Sequence, residues 1–154
     1  MSTISAGNAF QATDLQRNHR VVLDAARESS AIIRDTDGLL LLIQPAEEAR
    51  RGEYLAEVLW SATCLGRALA LPRLSRGPAM YGSFAWVSVM PEGDQLQFLQ
   101  EVIDQALVSR NSGSKEKLED FIGDWKATAL TWSDEDVREE LNGELEQPLH
   151  EVVL

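Results

Sequence analysis

The N-terminal part of the chain begins with a strand-like stretch followed by a helical pattern. Residues 3–5 are compatible with a short β-strand, and from Leu15 to about residue 28 apolar side chains recur every three or four residues. Thr13 and Asp14 are N-cap candidates, because their side chains can accept hydrogen bonds from unpaired backbone amides. The pattern therefore predicts a strand that leads into an amphipathic helix.

A β-hairpin is the clearest local signal in the sequence. Residues 31–34 and 39–43 are two short, largely apolar runs that flank Asp37-Gly38, a dipeptide suited to the positive φ angles of tight hairpin turns. The second run is apolar at every position, which indicates that both of its faces are covered. The helix is expected to cover one face, and a second subunit is a candidate for the other.

Beyond the hairpin, the apolar positions keep a helical spacing. Pro45 suits the first turn of a helix, which Gly52 could divide into a short and a longer piece. Helical stripes are expected at residues 55–69, 96–107 and 118–132, followed by a last short helix between about residues 133 and 143.

These patterns predict an α+β chain with three parts. Residues 1–70 form a βαββα module, residues 71–92 form a connector, and residues 93–154 form a mostly helical, acidic region. The connector is inferred from the turn-forming and basic residues just after Leu71. With 44% hydrophobic and 25% charged residues, the chain has the composition of a folded protein.

Charge divides the chain into a neutral and an acidic half. Residues 1–77 carry nine arginines and nine carboxylates, whereas residues 78–154 carry five basic and sixteen acidic side chains, so the net charge of −11 lies in the second half. An acidic surface attracts a basic partner and repels nucleic acid, so contact with DNA is expected from the first half. Keeping the protein soluble is the alternative role of these acids.

Enzymatic and cofactor-dependent functions find little support in the sequence. A single cysteine, Cys64, excludes an internal disulfide, and two distant histidines, His19 and His150, form no zinc-binding pattern. No glycine-rich phosphate loop, serine nucleophile motif or Cys/His pair is present. With no secretory signal and no membrane-spanning apolar run, we expect a cytoplasmic protein without a cofactor or a membrane association.

Three stretches of the chain resemble the Phd/YefM-type antitoxins of bacterial toxin–antitoxin pairs. Residues 17–24 (RNHRVVLD) are similar to the arginine-asparagine helix pattern of that family, and residues 32–34 (IIR), followed by Gly38, resemble its hairpin. Residues 125–129 (WKATA), followed by Ser133-Asp134, look like a signature found near the C-terminus of many members.

The resemblance implies a homodimer that binds operator DNA. Paired sheets of the two copies would bury the apolar strand, with Leu39, Leu41 and Ile43 at the dimer interface. Arginine side chains would contact the DNA, because a guanidinium can pair in bidentate fashion with guanine edges or phosphates. These are Arg17, Arg20 and Arg34. The alternative is that these arginines form surface ion pairs with Asp14, Asp24 and Asp35.

The acidic half is expected to bind a cognate basic toxin. The residues expected to contact the toxin, in the mode of a helix in a groove, are Leu118, Phe121, Trp125, Thr128 and Trp132. The same helical spacing also suits a core face of the protein itself. The functional expectation is an antitoxin that neutralises its toxin and represses its own operon. The alternative is a dimeric adaptor with the antitoxin fold that does not bind DNA, its C-terminal helices packed on its own core.

Overall fold

The computed structural model describes residues 8–135 and residue 139, and the chain folds into two compact units. Unit 1 spans Met1–Glu53 and unit 2 spans Tyr54–Leu154. The three strands of the described residues all lie in unit 1, and most of the helical residues lie in unit 2. The protein is therefore a mixed α and β protein, in agreement with the α+β class expected from the sequence.

Unit 1 consists of a small sheet and two short helices that precede a hairpin. Its elements, in chain order, are β1 (Ala9–Gln11), α1 (Ala12–Arg17), α2 (His19–Glu28), β2 (Ala31–Arg34) and β3 (Leu40–Ile43). In the sheet, β2 lies between a parallel β1 and an antiparallel β3. Among the described strands, β3 therefore forms one edge of the sheet.

The first described strand lies later in the chain than the sequence suggests. Residues 3–5, where a strand was expected, lie outside the described residues, whereas Ala9–Gln11 pairs with β2. This strand runs directly into α1, whose N-cap is Gln11 and neither of the two expected residues. Asp14 stands three positions into the helix, where its carboxylate accepts a hydrogen bond from the Gln11 amide at 2.8 Å.

The single helix expected from Leu15 onward is broken at Asn18. This residue leaves the helical region, with φ −129° and ψ 39°, and its amide donates to the Asp14 carbonyl at 2.7 Å. Its own carbonyl accepts the first hydrogen bond of α2, from the Val21 amide at 3.0 Å. Asn18 thus ends α1 and begins α2, a position that suits asparagine. No residue of α1 is buried.

The hairpin is present as predicted. Gly38 adopts a φ of 81°, which favours glycine, and the Asp35 amide donates to the Leu39 carbonyl at 2.8 Å. The core of unit 1 lies on one face of the sheet, where Val22 and Ala26 of α2 are buried with Ala31 and Ile33 of β2. These four side chains are the buried core of a small module.

Unit 2 is helical, and its first helix begins in unit 1. Its elements are α3 (Ala46–Leu69), a 3-10 helix (Arg73–Ser75), a kinked 3-10 segment (Pro78–Val89), α4 (Glu92–Ser112) and α5 (Glu116–Ser133). Pro45 precedes α3 as expected, but Gly52 does not divide this helix. The last helix expected near residue 142 falls largely outside the described residues.

The predicted connector is part of the core of unit 2. Tyr81, Phe84, Val87 and Met90 are buried there, and they recur every third residue, which is the period of a 3-10 helix. Glycine and proline near this segment suggested a linker, whereas its apolar side chains fix it against the helices. For this reason the compact units divide after Glu53, within α3, and not at residue 70.

An aromatic cluster around Phe98 of α4 forms the centre of unit 2. Phe98 is fully buried, and its ring centroid lies 5.0 Å from that of Phe84 and 5.0 Å from that of Trp86. On the α5 side, Trp125 lies at 5.6 Å and Phe121 stacks at 6.1 Å. Such contacts add to the stabilisation that burial of the rings already provides. The cluster joins the 3-10 segment, α4 and α5.

The Arg76 side chain connects the end of α3 to the start of α4. It is 3% exposed and donates from Nε to the Leu71 carbonyl at 2.8 Å and from Nη2 to the Leu69 carbonyl at 3.2 Å. The same Nη2 lies 2.5 Å from Oε1 of Glu92. Carbonyls at a helix C-terminus have no partner within the helix, so Arg76 satisfies the end of α3. Its hydrogen bond lowers the pKa of Glu92 below the usual value.

Replacing Gly82 with alanine is expected to reduce the free energy of unfolding of unit 2 by about 2 to 4 kcal/mol. Gly82 has a φ of 57°, and an added Cβ would lie 3.3 Å from the Cα of Ser61 on α3. Urea denaturation followed by tryptophan fluorescence measures this change, because all four tryptophans lie in unit 2.

The matched control is Gly123→Ala in α5, where an added Cβ meets no atom within 4 Å. This variant is expected to raise the free energy of unfolding by about 0.5 to 1 kcal/mol, since alanine favours a helix more than glycine does. A Gly82→Ala variant as stable as the wild type would contradict the close contact between the 3-10 segment and α3.

Replacing Glu92 with glutamine is expected to lower the stability of unit 2 at neutral pH but not in acid. Because the pKa of Glu92 is lower in the folded than in the unfolded chain, its stabilising effect is present above the unfolded value. The effect disappears as the pH falls through the folded value. Denaturation at about pH 7 and about pH 3 tests this, with Glu53→Gln as the control. An equal loss of stability at both pH values would exclude the ionic contribution.

Candidate functional site

The three arginines expected to bind DNA are exposed on unit 1. Arg17 is the last residue of α1, Arg20 lies in the first turn of α2, and Arg34 ends β2. Within the part of the chain that the structure describes, none of the three forms an ion pair. Their guanidinium groups are therefore accessible to an external anion.

The carboxylates that could have neutralised these arginines have other partners. Asp14 accepts the hydrogen bond from the Gln11 amide, and Asp24 pairs with Arg27 at 3.1 Å. The Asp35 carboxylate accepts from the Thr36 amide at 2.7 Å. The alternative was that the three arginines form surface ion pairs with Asp14, Asp24 and Asp35. These ion pairs are absent.

The three arginines lie at two places in unit 1, the helix break at Asn18 and one face of the sheet. Arg17 and Arg20 lie on either side of the helix break at Asn18, and the first turn of α2 has no acidic residue and no side-chain cap. Arg34 pairs in register with Gln11 of β1 and Leu40 of β3, on the sheet face opposite the core. Unit 1 has six arginines and eight carboxylates, so its positive charge is local and not a broad basic field.

The apolar strand expected at a dimer interface is exposed. Residues 39–42 are four leucines that are between 47% and 61% exposed, although β3 belongs to the sheet. Ile43, one of the three residues expected at the interface, instead packs partly against the core of unit 1. The exposed set is therefore Leu39 to Leu42 and includes Leu40 and Leu42, which the sequence-based selection omitted.

Leu40 and Leu42 belong to the uncovered face of the sheet. Their partners in register are Arg34 and Ile32 of β2, and Ile32 in turn pairs with Ala9 of β1. Side chains on neighbouring strands in register share a face, so this face carries an apolar group bordered by Arg34. The signal for it in the sequence was the unbroken apolar run at residues 39–43: side chains along a strand point alternately to its two faces, so every second leucine must point away from the core.

The residues expected to bind the toxin are mostly turned inward. Leu118 is fully buried, and Phe121, Trp125 and Trp132 pack partly buried against the core of unit 2. Only Thr128 is exposed, with its hydroxyl donating to the Asp124 carbonyl at 3.2 Å. Leu118 cannot contact a partner while unit 2 is folded. The stripe on α5 is a core face, the alternative that its spacing allowed.

Other chemistry is scarce in the described residues. Cys64 is partly buried in an open cleft with Leu71 and Met80. Between residues 8 and 135, and at residue 139, no group of three or more His, Cys, Asp or Glu side chains could hold a metal ion. None of the described helices is long and apolar enough to cross a membrane.

Comparisons with models of protein families, with curated proteins and with solved structures found no match to this chain.

Proposed function

We propose that this chain is the antitoxin of a toxin–antitoxin pair. In this proposal it neutralises a basic toxin by stoichiometric binding and represses its own operon as a DNA-binding homodimer. The observation that carries the proposal is the set of three unpaired, exposed arginines on a module whose leucine strand is also exposed. The order in residues 9–69 is a strand, two short helices, a hairpin and a long helix. It supports the proposal, because the order that the resemblance to the Phd/YefM-type antitoxins implies differs from it only in that its single first helix is here broken at Asn18.

Dimerisation would bury the exposed leucines. An edge strand presents unpaired backbone groups, and natural proteins normally protect such an edge or pair it. Full burial of one leucine side chain contributes roughly 1.5 to 3 kcal/mol, so half-exposed leucines from two copies together offer several kcal/mol. The open face of β3 therefore favours a second copy as its cover.

DNA binding would follow from the symmetry of the dimer. A two-fold axis would present Arg17, Arg20 and Arg34 twice, which suits a palindromic operator. Because the net charge of unit 1 is −2, direct contacts would have to supply the affinity, with little help from long-range attraction. We therefore expect binding that is strongest at low salt.

Toxin binding would use the charge of unit 2. This unit carries eight basic and seventeen acidic side chains, so it attracts a basic protein and speeds the encounter. Neutralisation would result from masking the active surface or the target-binding surface of the toxin.

A dimeric adaptor that does not bind DNA is the second candidate. The inward-facing aromatic side chains of α5 favour it, since they let unit 2 fold without a partner. The net negative charge of unit 1 favours it as well. DNA binding by the wild-type chain separates the two candidates.

Replacing both Leu40 and Leu42 with glutamate is expected to convert a dimer into a monomer. Each leucine is more than half exposed, so unit 1 keeps its fold while the charged side chains prevent burial of the strand. Light scattering coupled to size-exclusion chromatography measures the mass, and circular dichroism checks the fold. Leu74→Glu, at a fully exposed position of unit 2, is the control and should leave the mass unchanged. A monomeric wild-type chain at micromolar concentration would rule out the dimer.

Replacing Arg17 or Arg34 with alanine is expected to weaken binding to the DNA upstream of the coding sequence. The expected loss is about 1 to 3 kcal/mol for each arginine that contacts a base, or about 5- to 150-fold in affinity. A mobility-shift titration at low salt measures it. Arg50→Ala is the control, because Arg50 is already paired with Glu47 at 2.7 Å. If the wild-type chain shifts no upstream DNA, the repressor function is wrong and the adaptor is favoured.

A further inference from the structure

A cleft opens on unit 2 between the C-terminal half of α3 and the start of the kinked 3-10 segment. Its volume is about 370 Å³, within the usual range of about 300 to 1,000 Å³ for small-molecule sites. Leu71 and Met80 in this cleft are 40% and 43% exposed, so apolar side chains are accessible to a ligand. The residues that line the cleft are Cys64, Arg67, Ala68 and Leu71 of α3, and Ala79 and Met80 of the 3-10 segment.

Hydrogen bonds near both ends of the cleft join its two walls. The Ser83 amide donates to Oγ of Ser61 at 3.2 Å, which connects the 3-10 segment to α3 one turn before Cys64. At the other end, Nε of Arg76 donates to the Leu71 carbonyl at 2.8 Å. The cleft is therefore preformed, and a ligand does not have to order its walls on binding.

Arg67 is the charged residue among the six that line the cleft. It is exposed, and within the described part of the chain its guanidinium group forms no ion pair. The acids before and after it in the sequence are engaged elsewhere, because Glu57 accepts a hydrogen bond from a serine hydroxyl of the 3-10 segment and Glu92 pairs with Arg76. Residues 58–91 carry three arginines and no acidic side chain, although the net charge of unit 2 is −9. The cleft is thus a locally positive site on an acidic unit.

The side chains of the cleft suit a small anion that carries an aromatic ring. A guanidinium group can bind a carboxylate through two parallel hydrogen bonds, and the thioether of Met80 can pack against a ring. Trp60, which is 64% exposed, lies one turn before Cys64 on the same side of α3. The net charge of unit 2 repels a large acidic protein, whereas a ligand with one charge responds mainly to groups within about 10 Å.

We infer that the cleft between α3 and the 3-10 segment is a binding site for a small aromatic carboxylate. The carboxylate pairs with Arg67, and the ring lies between Leu71 and Met80. The site belongs to unit 2 alone and is distinct from the arginines of unit 1. The inference therefore goes beyond the proposed function and does not depend on it.

The test uses the full chain and two probes of the same shape, naphthoate and its neutral amide, naphthamide. Calorimetry measures the affinity of each probe. We expect naphthoate to bind at least about 10-fold more tightly than naphthamide, because the amide has no charge to pair with Arg67. Cys64 is the single cysteine of the chain, so the rate of its alkylation by iodoacetamide reports on this cleft alone. Bound naphthoate is expected to slow this alkylation.

A matched pair of arginine variants tests the contact with the carboxylate. Arg67→Gln removes the charge at the cleft, and Arg110→Gln removes the same charge from another exposed position of unit 2. Arg110 lies on α4 about 16 Å along the helix axis from Leu99, whose side chain is beside Gly66 of α3. We expect Arg67→Gln to weaken the binding of naphthoate at least about 10-fold and Arg110→Gln to change it less than about two-fold.

Each of the other outcomes overturns the inference. Equal affinity for the two probes would show an apolar cleft that does not recognise an anion. An equal loss of affinity in both variants, or binding that leaves the alkylation of Cys64 unchanged, would place the ligand elsewhere. No binding of naphthoate at millimolar concentration would remove the site. A smaller mass of the Arg67→Gln variant, measured without a probe, would assign the cleft to a second copy.

Discussion

Burial of the Phe98 ring is the interaction on which unit 2 depends. Four aromatic side chains from the 3-10 segment and from α5 surround this ring, so three consecutive parts of the chain share one centre. The 3-10 segment is kinked at Gly82 and Phe84, and its short 3-10 pieces are rarely stable by themselves. Helix α5 is held mainly by the face that it buries. This packing turns the aromatic face of α5 into the core of unit 2.

In unit 1 the corresponding constraint is the size of the sheet. Three short strands and α2 provide a core of four buried side chains, which leaves the second face of the sheet without a cover in the described chain. So small a core favours further burial, and the leucines of β3 are the largest apolar group that remains. Arg17, Arg20 and Arg34 do not take part in this packing and remain exposed.

The sequence predicted the elements whose signals are local. The Asp37-Gly38 hairpin and the helices after Pro45 follow from turn chemistry and from a period of 3.6 residues, and both are present. The strand Ala9–Gln11 was missed because three residues show no clear alternation. The segment Pro78–Val89 was predicted to be part of a linker because of the glycine and proline residues in and near it. Its buried residues recur every third position, a period that belongs to neither an α-helix nor a β-strand. Periodicity also shows which side of α5 is apolar without showing what covers it, and only the Phe98 cluster decides that.

The exposed edge strand ties the proposed repressor to the amount of protein in the cell. If two copies must dimerise through β3 before the arginines can bind an operator, the dimer is the DNA-binding species. Its concentration then rises with the square of the monomer concentration as long as dimers are scarce. Repression would then stay weak at low expression and increase steeply within a narrow range. A few leucines at the edge of a small sheet would thereby set the threshold of a genetic circuit.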